Sequence, residues 1–130
     1  MPLRVTMRQM VSMHRATGPT VSVLIVDDDN TIRDLLRAAL SVEENAGEVR
    51  EAADGSAAVR ACNDFKPDVI VLDYAMPDHD GEETAGQIRE IHPEARIVAY
   101  SGLLEHKPEW ADDYYVKGDL PDFDTILEPR

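Results

Sequence analysis

Two short apolar runs, each closed by an acid, constrain this chain more than any other feature. Val21-Ser22-Val23-Leu24-Ile25-Val26 ends in Asp27-Asp28, and Val69-Ile70-Val71-Leu72 ends in Asp73. Both runs are rich in β-branched residues and uncharged, as strands are when a parallel sheet buries both of their faces. In open α/β sheets the functional crevice lies just beyond the carboxyl ends of the strands. Acids at the ends of two neighbouring strands would share one pocket there, and a pocket of carboxylate oxygens suits a hard divalent cation such as Mg²⁺.

The sequence between and after these runs alternates between two periods. Ile32, Leu35, Leu36, Ala39 and Leu40 fall on one face of a helix, with Asp29 or Asn30 as its N-cap. Gly47 precedes a second strand over residues 48–52, and Asp54-Gly55 marks a turn. A second helix is expected over residues 56–65, stopped by Lys66-Pro67. A third opens at Asp80-Gly81 and ends near Ile91, before Pro93. Arg96-Ile97-Val98-Ala99-Tyr100 then leads into Ser101, and Tyr114-Tyr115-Val116 into Lys117. Strands alternating with helices imply right-handed crossovers and a parallel sheet wound on both sides.

Residues 23–29 (VLIVDDD), 69–81 (VIVLDYAMPDHDG), 98–102 (VAYSG) and 112–118 (DDYYVKG) together resemble the response-regulator receiver domain of two-component signalling. The resemblance covers residues 21–130 and implies a doubly wound five-stranded parallel sheet in the flavodoxin-like strand order 2-1-3-4-5. Residues 1–20 would form a flexible N-terminal extension. By the same resemblance Asp73 is the phosphoacceptor, with Asp28 and Asp73 ligating Mg²⁺ directly and Asp27 acting mainly through a coordinated water. The backbone carbonyl of Ala75 would complete the ligands. Ser101 and Lys117 match the family's hydroxyl and lysine, and Tyr114 its switch aromatic. These residue types suit phosphoryl transfer to a carboxylate, because the cation, the lysine and the hydroxyl offset repulsion between nucleophile and phosphoryl oxygens. The implied partners are a histidine kinase or histidine phosphotransfer protein and a downstream protein target.

The end of the chain departs from that pattern. Only 15 residues separate Ser101 from Lys117, and 13 follow Lys117. An average helix alone takes about 11 residues. A fourth helix is therefore expected to be one or two turns or irregular, and a fifth, between Pro121 and Pro129, about two turns. Gly118 follows Lys117 where many relatives have a cis-proline, so the lysine would be presented less rigidly. Short helices four and five disfavour a stable homodimer through that face, leaving a monomer or weak dimer.

Composition narrows the classes further. A net charge of −13 disfavours direct binding to nucleic acid through a broad basic surface. The first 20 residues hold three Arg and no acid, so residues 21–130 carry −16. No apolar stretch approaches the roughly 18 residues of a membrane span. Arg4, Arg8, His14 and Arg15 interrupt any secretory signal, and the single Cys62 is expected as a buried thiol in a reducing cytoplasm. Asp54 and Asp80 read as caps or turn residues, and Trp110 as local core. His14, His79, His92 and His106 read as solvent-facing, without zinc-ligand spacing. One competing class is a pseudo-receiver, a binding module working without phosphorylation. Another is a haloacid-dehalogenase-like phosphatase, which needs an Asp two residues after its nucleophile. Ala75 stands there, against that class. With no DNA-binding module before Arg130, signalling is expected through protein contacts.

Overall fold

The computed structural model describes residues 19–76, 78–102 and 104–128. The N-terminal extension, apart from Pro19 and Thr20, lies outside the described residues. Nine elements follow in order: β1 (Val21–Val26), α1 (Asn30–Leu40), β2 (Ala46–Ala52), α2 (Gly55–Phe65), β3 (Val69–Leu72), α3 (Gly81–Ile91), β4 (Arg96–Ser101), β5 (Asp113–Val116) and α4 (Phe123–Ile126).

The strands form one parallel sheet in the order β2-β1-β3-β4-β5, as the resemblance implied. Alternate residues of each central strand feed opposite faces, because strand side chains alternate with period two. Val23, Ile25, Val69, Val71, Val98 and Tyr100 pack with Leu36 and Leu40 of α1 and with Phe123 and Ile126 of α4. Leu24, Val26, Ile70, Leu72 and Ile97 pack on the other face with Ala58 and Cys62 of α2 and Ala85 and Ile88 of α3. Register places Val26 beside Leu72 and Leu72 beside Ala99, so the residues that follow β1 and β3 emerge together at one edge.

Each long helix starts on an acid. Asp29, Asp54 and Asp80 accept from the backbone N–H of Thr31, Ala57 and Glu83, each at 2.8 Å. Such caps satisfy donors that the first helical turn leaves open, typically worth about 1 kcal/mol. On α1, Leu36 and Leu40 are buried, Ile32 is half-buried and Leu35 is exposed. Cys62 is buried, and burial pushes its thiol up to about 11, as fits a structural cysteine.

The last third of the fold is irregular, in keeping with its residue count. Between β4 and β5 the described residues form no helix. Arg89 of α3 holds this segment instead, donating to the Trp110 carbonyl at 3.1 Å and to Asp112 at 3.2 Å. Helix α4 is a single turn, shorter than the two turns expected, because the backbone already leaves helical geometry at Leu127; it is capped by Asp122 and buried through Phe123 and Ile126. Arg96 pins it, with Nε and Nη2 on Asp113 at 2.6 and 3.1 Å and Nη1 on the Ile126 carbonyl at 3.0 Å. Two histidines correct the sequence reading. His79 is half-buried with Nδ1 3.1 Å from Asp78, and His92 is half-buried with Nε2 2.8 Å from the Pro67 carbonyl.

Candidate functional site

Asp27, Asp28 and Asp73 converge beyond the carboxyl ends of β1 and β3. Each offers a carboxylate oxygen, and the three oxygens lie within 4.8 Å of one another. Asp27 and Asp73 are buried and Asp28 is exposed. Lys117, just past β5, reaches across the edge of the sheet to both buried acids. Its Nζ stands 2.8 Å from Asp27 Oδ2 and 3.3 Å from Asp73 Oδ2. Four residues spread over 91 positions of sequence thus meet in one cluster because the strands are parallel and end at one edge.

The electrostatics follow from this packing. Burial, then the neighbouring Asp27 charge, pushes the Asp73 carboxyl up to about 6, against the opposing pull of Lys117 and of the Ala75 N–H. Burial alone would depress the Lys117 ammonium, but the bond to Asp27 and the Asp73 charge outweigh it and raise its pKa. Asp27 is held at both oxygens, since Oδ1 accepts from the Asp29 N–H at 3.0 Å while Oδ2 faces Lys117. Arg33 fixes the backbone behind it, donating to the Asp27 carbonyl at 2.6 Å while pairing with Glu51 at 3.2 Å.

Ser101 is buried at the end of β4, and its carbonyl accepts from the Lys117 N–H at 3.2 Å. That bond ties the position of Lys117 to β4. Tyr114 is half-buried, and its hydroxyl donates to the Ser101 carbonyl at 3.2 Å and to the Leu104 carbonyl. Gly118 adopts φ 112°, in the half of backbone space that glycine alone enters without steric cost, so the chain can turn sharply behind the lysine. Ala75 bridges to Asp80 across the loop between β3 and α3. Asp78 in that loop accepts from the N–H groups of Gly55 and Ser56 at 2.9 and 3.0 Å, latching it to the start of α2.

Of the site residues expected from sequence, Asp27, Asp28, Asp73 and Lys117 meet in one cluster, and Ser101 and Tyr114 are joined to Lys117 through the Ser101 carbonyl. Sequence reasoning missed Arg33, Asp78 and Arg89. Asp78 and Arg89 have partners more than 20 residues away, and Arg33 joins the nearby Asp27 carbonyl to Glu51, 18 residues on, so no local pattern marks any of them. The oxygen-only donor set fits a hard divalent cation and suits a thiol-seeking metal poorly. A cleft of about 280 Å³ opens elsewhere, at the starts of β1, β3 and β4, between Val21, Val69, Arg96 and Ile126, and contains none of these residues.

Comparison with known proteins agrees with this fold. The response regulator receiver domain matches residues 23–112, a span that ends before β5 and Lys117. The chain is similar to the transcriptional regulatory protein TrcR of Mycobacterium tuberculosis, 33% identical over 122 residues, which cover 89% of this chain and 47% of that protein. It therefore spans about half the length of this relative. Among solved structures it is similar to the response regulator TrrA of Thermotoga maritima in complex with Mg²⁺ and beryllofluoride, at 31% identity and a TM-score of 0.69. That match covers 82% of this chain and 93% of the other. It is also similar to the chemotaxis protein CheY4 of Vibrio cholerae, at 28% identity and a TM-score of 0.71, covering 82% and 96%. With the sheet order, the strand-end acids and the family match in agreement, this chain belongs to the response regulator receiver domains of two-component signalling.

Proposed function

We propose that the protein is a phosphoacceptor switch that takes a phosphoryl group on Asp73. The observation that carries this reading is the contact of Lys117 Nζ with both Asp27 and Asp73 beside a third carboxylate, Asp28. The family match stops short of Lys117, so the geometry supports that residue independently.

In this reading an Asp73 oxygen attacks phosphorus, the bond from phosphorus to the donor's leaving atom breaks, and that atom keeps the electron pair. The product is an acyl phosphate on Asp73. Lys117 offers a positive charge to the phosphoryl oxygens, and the Ser101 hydroxyl a donor. Asp28, Asp73 and the Ala75 carbonyl would hold Mg²⁺, which when bound offsets the charge between carboxylate and phosphoryl group. Because both Asp27 oxygens already have partners, Asp27 suits an outer role through water. Tyr114, bonded to the Ser101 and Leu104 carbonyls, would respond when Ser101 moves toward the phosphoryl group.

The donor would be a histidine kinase or histidine phosphotransfer protein and the target another protein, in the cytoplasm. No helix among the described residues is long and apolar enough to cross a membrane. Incubation with acetyl phosphate and Mg²⁺, followed by intact-mass measurement, tests the reading. The wild type should gain one phosphoryl group and Asp73→Asn none while staying folded. Equal modification of both proteins would remove Asp73 from the role.

A further inference from the structure

Gly81, the first residue of α3, is a crowded point. Its N–H donates to the Tyr74 carbonyl at 2.6 Å, tying α3 to the residue after Asp73. A Cβ placed on Gly81 would lie 2.9 Å from Tyr74 Cα, 3.0 Å from the Asp73 carbonyl oxygen and 3.0 Å from Trp110 Cη2. The Trp110 ring therefore reaches back from the irregular segment between β4 and β5 to the base of the Asp73 loop. It is also fixed from behind, since Arg89 holds its carbonyl and Asp112, and Asp112 accepts from the Ile97 N–H at 2.8 Å. The ring packs against the core beside α2 and α3 while staying partly exposed.

We propose that Trp110 is a positioning residue for the loop of Asp73, Tyr74 and Ala75, and that it couples the segment replacing a fourth helix to the state of the site. Among the described residues, the restraints on Tyr74 and Ala75 include the Gly81 N–H, the bridge from Ala75 to Asp80, and the Ala75 N–H turned toward Asp73. Packing the ring against Gly81 removes the space into which this loop could relax. A shift of the loop on phosphorylation then presses on Trp110, and by reciprocity a change at Trp110 alters the affinity of the site. The inference rests on Asp73 being the phosphoacceptor, and the test separates the two.

Trp110 is the chain's single tryptophan, so its emission reports on this contact alone. Wild type, Trp110→Ala, Trp110→Phe and Phe65→Ala are compared for Mg²⁺ affinity and for the rate of labelling by acetyl phosphate. Phe65 packs against the same core cluster from the far end of α2, so its variant controls for lost stability. Labelling should change the wild-type emission. Trp110→Ala should weaken Mg²⁺ binding and slow labelling by at least about five-fold, the lower end of coupling between sites. Trp110→Phe should restore most of both, and Phe65→Ala should leave both near wild type. Unchanged emission on labelling, a Trp110→Ala protein with wild-type affinity, or an equal loss in Phe65→Ala would overturn the proposal. Should the wild type take no label, the Asp73 reading fails, and the Mg²⁺ affinities alone still decide the role of Trp110.

Discussion

The two sides of this sheet are built to different standards. Around β2, β1 and β3 stand three helices of 11 residues each, capped by acids and packed on both faces. Beyond β4 the flanking material is an irregular segment, a four-residue strand and one turn of helix. The cluster nevertheless draws on both sides, with three carboxylates from the first and the lysine from the second. A site assembled at strand ends needs the strands to be in register and Lys117 to be held, and both hold here with no helix among the described residues between β4 and β5. Arg89 and Arg96 replace helix packing with charged hydrogen bonds, which are directional and typically worth about 1.5 to 3 kcal/mol each.

Breaking the link between the two sides should have the largest effect. Lys117→Ala leaves Asp27 and Asp73 buried without their cation. It should cost about 3 kcal/mol in the absence of metal, the low end for a broken buried pair, because Asp73 can take up a proton instead. Urea unfolding should show that loss, with Mg²⁺ restoring part of it. A variant as stable as wild type without metal would mean that the two sides are not joined through this lysine.

A smaller effect is expected from Asp73 itself. Its folded pKa, near 6, lies above the ordinary carboxylate value of 3.8. The folded state therefore binds the proton more tightly, and the stability this contributes is fully present below pH 4 and is lost as pH rises through 6. Asp73→Asn should remove that slope and make the metal-free protein more stable at pH 7 by on the order of 1 to 3 kcal/mol. The check is unfolding free energy measured from pH 4 to 7. A variant that loses stability at pH 7, or keeps the slope, would contradict the assigned environment.

The smallest effect sharpens the contrast within the second side. Arg89→Ala frees the Trp110 carbonyl and Asp112, and should cost about 1 to 2 kcal/mol. Amide exchange should rise at residues 109–113 and remain slow in β1 and β3, since local opening follows local contact. Equal acceleration across the sheet would show that the irregular segment does not open separately.

How much of this was legible in the sequence follows the same division. Apolar runs ended by acids gave the strands and the cluster, because burial and chain sense act locally. The caps at Asp29, Asp54 and Asp80 were legible for the same reason. Residue counting showed that the fourth helix lacked length, but not that Arg89 and Trp110 would organise what replaced it. Those contacts join positions 21 residues apart through a guanidinium and a carbonyl, a pairing without periodicity or motif. His79 and His92 were misread as solvent-facing because their partners, Asp78 and the Pro67 carbonyl, are specified by loop geometry alone.

The proposed switch directs a phosphoryl group to Asp73 and to no other acid. It is tested most directly by treating the full chain with acetyl phosphate and Mg²⁺, reducing with borohydride and sequencing the peptides by mass spectrometry. Borohydride converts an acyl phosphate to the alcohol, so homoserine is expected at position 73 with Asp27 and Asp28 intact. Homoserine at position 27 or 28, or no conversion in protein that binds Mg²⁺, would contradict it.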